Sequence, residues 1–201
     1  PAGMDDPNKR GRWNRDHIWF HDSELAEWLP RKLEVGESTE LPKSLALRLA
    51  RFHVVDNISG QEGPFSDQDI EKAQIRVEVE RVEKDQVHLL ITGDFVTKSD
   101  GVYKLGETDW KHFPSRTRGV NATMHGTAIW NPTKQGFDRF DAILTGTVWG
   151  GSGLNGRRGV TESNPARVAW WMELSGDQPA DRLPPAFVDV YGADWILPPG
   201  S

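Results

Sequence analysis

The groups best suited to acid–base or metal chemistry are three histidines and the carboxylates beside them. In Arg51-Phe52-His53-Val54-Val55-Asp56-Asn57 an imidazole stands close to a carboxylate and an amide. Asp56 and Asn57 can orient the His53 ring for work as a general acid or base. The competing reading is a structural hydrogen-bond cluster. No serine lies in a nucleophile-elbow sequence and there is no cysteine, so a triad mechanism has no identifiable nucleophile. His17 and His21 stand four residues apart, with Asp22 adjacent. On a helix that spacing puts both rings on one face, where they can offer two nitrogens to a metal. No glutamate follows His17 to complete a metalloprotease arrangement, and no third ligand is assignable. Surface or half-buried histidines are the plainer alternative.

A second group of candidates suits ligand binding. Gly151-Ser152-Gly153-Leu154-Asn155-Gly156 has the spacing of a dinucleotide-binding fingerprint and follows an expected strand. That motif needs a helix opening at its last glycine, whereas Arg157-Arg158-Gly159-Val160 runs on to Asn164-Pro165 with no helical period. The milder reading is a glycine loop whose backbone N–H groups, with Asn155, Arg157 and Arg158, receive a carboxylate or phosphate. Its bland counterpart is a flexible hairpin loop with solvated arginines. Nine tryptophans add flat surfaces that stack on ligands when exposed. Alternation points Trp130 and Trp170 inward as core. Trp149 and Trp171 point the other way, or end a strand, and as an outward pair they would form a ligand or partner surface.

The elements that must carry these residues are mostly strands. Ile75, Val77 and Val79 alternate with Gln74, Arg76, Glu78 and Glu80, the period-two pattern of one buried and one wet face. Lys84-Asp85 turns the chain, and Val87, Leu89, Ile91 and Phe95 continue the alternation on the return strand. A second hairpin runs from Val120 to Trp130, through Asn131 to Gly136, and back along Phe140, Ala142, Leu144 and Val148. A final strand, Arg167 to Leu174, carries Val168, Trp170, Met172 and Leu174 on one face. Ahead of the strands, Asp16 to Leu29 predicts one or two short helices stopped by Pro30. Pro42 to His53 predicts a helix, with a strand as the alternative because Leu45, Leu47 and Leu49 also alternate. Gly93, Gly126 and Gly146 interrupt strands centrally, which favours a strongly curved antiparallel meander or a small barrel. The expected fold class is mainly β, with one domain over residues 16–197 behind a polar, flexible lead-in at 1–15. The stretch from Ser99 to Thr117 reads as a long surface connection.

Composition narrows the functions. A chain of 201 residues can bury a real core without staples, and the lack of cysteine leaves His, Asp and Glu as metal ligands. The net charge of −6, from 30 acidic and 24 basic residues interspersed along the chain, argues against a nucleic-acid partner. No apolar run approaches the roughly 20 residues of a bilayer-spanning helix. Pro1 to Arg15 contains no apolar export-signal core, so such a signal is either lacking or already removed. No cofactor is implied.

The strings Arg51-Phe52-His53-Val54-Val55-Asp56-Asn57-Ile58-Ser59-Gly60-Gln61 and Phe137-Asp138-Arg139-Phe140, followed by Trp149-Gly150-Gly151 and Asn155-Gly156-Arg157, resemble a group of uncharacterised exported bacterial proteins. The resemblance covers residues 28 to 191. It implies a periplasmic or secreted setting and no particular chemistry. The sequence thus leads to a non-enzymatic β-rich module that binds a small molecule or a protein through its rim loops. One alternative is a hydrolase, metal-assisted or not, using His53, Asp56 and His17 or His21. The other is a structural, oligomer-forming domain with an outward apolar strand face buried between copies.

Overall fold

The computed structural model describes residues 15–57, 63–100, 117–151 and 159–186. Six antiparallel strands form one sheet in chain order: β1 (Ser38–Glu40), β2 (Ile70–Glu83), β3 (Gln86–Ser99), β4 (Arg118–Asn131), β5 (Gly136–Trp149) and β6 (Ala166–Glu173). The chain is mainly β, as the alternation predicts. The sheet is open, with β1 and β6 as its two edges, and the closed-barrel alternative does not form among the described residues.

Parity of the strand residues decides what is buried. Ile75, Val77 and Val79 on β2, Val87, Leu89, Ile91 and Phe95 on β3, and Val120, Ala122, Met124 and Ala128 on β4 all lie within one core. Ala142, Leu144 and Val148 of β5 and Val168 of β6 extend it. Register fixes which of them meet: Ile91 of β3 lies beside Val77 of β2, and Met124 of β4 beside Leu144 of β5. The interrupting glycines let strands approach closely. At Gly146 any β-carbon would overlap the carbonyl oxygen of Asn121 on the neighbouring strand.

Two irregularities move residues off the expected pattern. Val79 pairs with Leu89 but Arg81 pairs with His88, so Glu80 is an extra residue, a bulge that shifts parity. The shift sets Val82 across from buried Val87, yet one residue from the strand's end at Glu83 it is 43% exposed. Leu174, expected to share the inner face of β6, lies past the strand's last residue, where period two no longer applies, and is exposed.

The inner face is covered by α2 (Lys43–Arg48), which begins after Pro42 and continues as a π-helical turn over Leu49–His53. Leu45, Ala46, Leu49 and Ala50 are buried in the same core as the sheet. The strand alternative for this segment is thereby corrected: its apolar residues pack at helical spacing on β2 and β3. Upstream, α1 (Asp22–Leu25) and a 3₁₀ turn (Ala26–Trp28) precede Pro30. They deliver Phe20 and Trp28 to a file of edge-to-face aromatic pairs, Phe20–Trp28–Phe140–Phe137–Trp130, with centroids 5.1 to 5.9 Å apart. Arg48 fixes this region to α2 by donating to both oxygens of Glu24 at 2.6 and 2.8 Å. Burial pushes the Glu24 carboxyl up, but the hydrogen bonds from Arg48 and the His21 N–H outweigh it and hold it below its usual range.

Most of the lead-in, residues 1–14, lies outside the described residues, as do 101–116 of the long connection and 187–197 at the far end of the expected domain. Arg15, assigned to the lead-in, is ion-paired to Asp181 at 2.8 Å.

Candidate functional site

The π turn at the end of α2 carries His53 to the chain's first described segment, and there the imidazole meets Asp16. His53 Nδ1 lies 2.9 Å from Asp16 Oδ2, with the two side chains 6% and 23% exposed. Asp16 Oδ1 accepts from the backbone N–H groups of His17 and Ala186, each at 2.8 Å. Burial opposes ionisation of Asp16, but the hydrogen bond and charge of His53, with the two backbone donors, outweigh it and hold the carboxyl below its usual range. An ionised carboxylate only accepts, so Nδ1 of His53 carries the proton.

This arrangement differs from the expected trio. The carboxylate on Nδ1 is Asp16, 37 residues away in sequence, rather than the neighbouring Asp56. Asp56 is itself buried at 7% exposure and Asn57 is half-buried. Next to them, the Val55 carbonyl accepts from Trp170 Nε1 at 3.0 Å, which ties this segment to β6. The Asp16–His53 pair has the orienting half of an acid–base dyad. Its burial and its backbone donors make it equally a clasp that joins the first described segment, α2 and the stretch around Ala186.

The two other histidines do not share a helical face. α1 begins at Asp22, so His21 is its N-cap and His17 lies in extended chain before it. His21 is exposed, and its N–H donates to Glu24 at 2.9 Å. His17 is half-buried, and its Nε2 has no hydrogen-bond partner among the described residues. Among the described residues no group of three His, Asp or Glu side chains is arranged to hold a metal.

Asn155, Arg157 and Arg158 lie outside the described residues. The residues flanking them are described and form a neck: Gly150 N–H donates to the Val160 carbonyl at 3.1 Å, and Thr161 bridges to Asn164. Gly150 has φ +72°, and a β-carbon there would strike the Thr117 carbonyl, so this neck requires glycine. Trp149, expected as an outward ligand platform, lies against a neighbouring strand. The indole lies across Gly119 of β4, so close that any β-carbon at 119 would collide with it. One side of the ring is thus taken by that strand, and the residue is half-buried.

Its expected companion, Trp171, is open. It is 69% exposed on the outer face of the sheet, directly across from Ile143 of β5, which is 42% exposed. Leu90 lies on the same face at 37%. Trp171 also belongs to the edge strand β6, on whose far side no strand pairs among the described residues. The open indole was legible from parity in the Trp170-Trp171 doublet, which must send one ring to each face. That β6 is an edge was not legible, because strand order is not written in alternation. No helix among the described residues is long and apolar enough to cross a membrane. No protein-family model, no curated protein and no solved structure matches the chain.

Proposed function

We propose that this chain is a non-enzymatic β-rich binding module of the bacterial cell envelope or exterior, and that it engages a protein partner through β6 rather than a small molecule through its rim loops. The observation that carries the reading is Trp171, 69% exposed on a sheet-edge strand. A partner strand added to such an edge gains main-chain hydrogen bonds for affinity and side-chain neighbours for specificity. Trp171 is the residue type most often found as an interface anchor. The envelope setting rests on the resemblance in the strings around His53, Phe137 and Trp149.

Selection of a displayed peptide library on the immobilised chain tests this reading. The expected binders are extended peptides that lose affinity for Trp171→Asp. Binders indifferent to that substitution would overturn the assignment to β6. The second reading, a hydrolase built on His53, is supported by the proton-bearing Nδ1 held on Asp16 at 2.9 Å. Turnover of chromogenic esters or phosphoesters by the wild type, abolished in His53→Ala, would replace the binding reading with it.

A further inference from the structure

The outer face of β6 reads Arg167, Ala169, Trp171, Glu173, and all four are exposed. The charges at its two ends are opposite in sign, and neither forms an ion pair among the described residues. Glu173 lies directly across from another acid, Asp141 of β5, whose own ion pair is with Arg139, and Arg167 lies across from Thr147. Like charges directly opposed on a sheet are destabilising. β6 therefore carries one uncompensated charge of each sign, six residues apart on one face of a strand whose far edge is unpaired among the described residues.

We infer that two copies of this chain pair through β6, antiparallel and related by a two-fold axis through Trp170; the inference rests on the reading that β6 is the contact strand. Antiparallel partners share a face, so outward residues must meet outward residues. That admits only registers centred on a residue. Centring on Trp170 sets Arg167 against the partner's Glu173, and Glu173 against the partner's Arg167. The same register sets each Trp171 indole over the small Ala169 of the other copy. On the inner face it puts Val168 opposite Met172 of the other copy. Centring on Ala169 would instead set Arg167 against Trp171 and Glu173 against Pro165, which has no N–H to give. Centring on Trp171 would set Glu173 against Ala169 and leave Arg167 beyond the strand. Only the Trp170 register satisfies both charges, and it does so twice by symmetry.

Sedimentation velocity on the full chain, over a concentration series into the hundred-micromolar range, tests the inference with charge reversals. The wild type is expected to show a monomer–dimer equilibrium. Arg167→Glu puts like charges at both symmetric contacts, as does Glu173→Arg. Each is expected to weaken dimerisation about tenfold or more. An equimolar mixture of these two variants restores both opposite-charge contacts, as does the doubly reversed chain, and both are expected to recover the dimer. Misfolding of a single variant would not produce that recovery, so loss without recovery counts against the pairing. A wild type that stays monomeric overturns self-pairing; β6 as a contact strand would then stand or fall on the Trp171-sensitive peptides. A dimer indifferent to the reversals also overturns it and locates the self-contact elsewhere.

Discussion

The two edges of the sheet are built in opposite ways. β1 is three residues long, Ser38–Glu40, with a polar side chain at every position. The chain enters and leaves it under restraint: Gly36 N–H donates to the Val79 carbonyl, and Leu41 N–H to the Ile75 carbonyl. β6 runs for eight residues and carries two tryptophans. Proteins usually blunt an exposed strand edge by shortening it, charging it or kinking it. β1 is blunted by length. β6 keeps its length and an open indole, with its charges confined to the ends. On the reading proposed above, the first edge is closed to pairing and the second is a template for it.

Four experiments press on that contrast. The largest effect on stability is expected from the Asp16–His53 clasp, whose histidine sits on the turn packed against β2 and β3. Asp16→Ala leaves His53 Nδ1–H and the Ala186 N–H without their acceptor and should cost about 3 kcal/mol, read from urea denaturation. Asp16→Asn, which keeps an acceptor for the backbone, should cost about half as much. In both variants amide exchange should accelerate in the Leu49–His53 turn that holds the ring and stay unchanged in β1; equal acceleration in the two would show that the clasp serves the whole sheet.

The pH dependence follows from the same group. The Asp16 carboxyl is lowered in the folded chain from its ordinary 3.8. It therefore contributes stability that is present above that value and is lost as the pH falls below it through the folded value. The urea midpoint should decline more steeply on acidification in the wild type than in Asp16→Asn. Parallel declines would contradict the assignment. Trp170→Phe removes the indole N–H that donates to the Val55 carbonyl, with an expected cost of about 1 kcal/mol seen as a lower melting temperature. The smallest stability change, within about 0.5 kcal/mol, is expected for Trp171→Asp on β6 and Glu40→Ala on β1, since both residues are exposed. Association should separate them: the first is expected to abolish partner binding and the second to leave it unchanged, by sedimentation or by peptide titration.

What the sequence made legible was local and periodic. Ile75, Leu89 and Leu144 could be placed inside from alternation alone, and each is 1% exposed. β1 escaped notice because Ser38-Thr39-Glu40 carries no apolar alternation; it is a strand because β2 offers it an edge. The carboxylate partner of His53 escaped a sequence reading for a related reason. His53, Asp56 and Asn57 are neighbours in sequence, and a pattern reading pairs neighbours. The carboxylate that reaches the ring comes from Asp16, and only the fold brings it there. The helical spacing of His17 and His21 misled in the same way, since His21 serves as the cap that starts α1. Trp149 and Trp171 have equivalent parity, and what separates them is a glycine: Gly119 gives the Trp149 ring a bed, while Trp171 has none.

The stitching of residues 15–19 to residues 181–186 has a mechanical consequence. Arg15 holds Asp181, Asp16 holds the Ala186 N–H, and Trp19 Nε1 donates to the Leu183 carbonyl at 3.1 Å. Tension that draws these two stretches apart must strain those three links before any strand of the sheet bears load. Under pulling they form a sacrificial seam that gives way first and leaves the meander whole behind it.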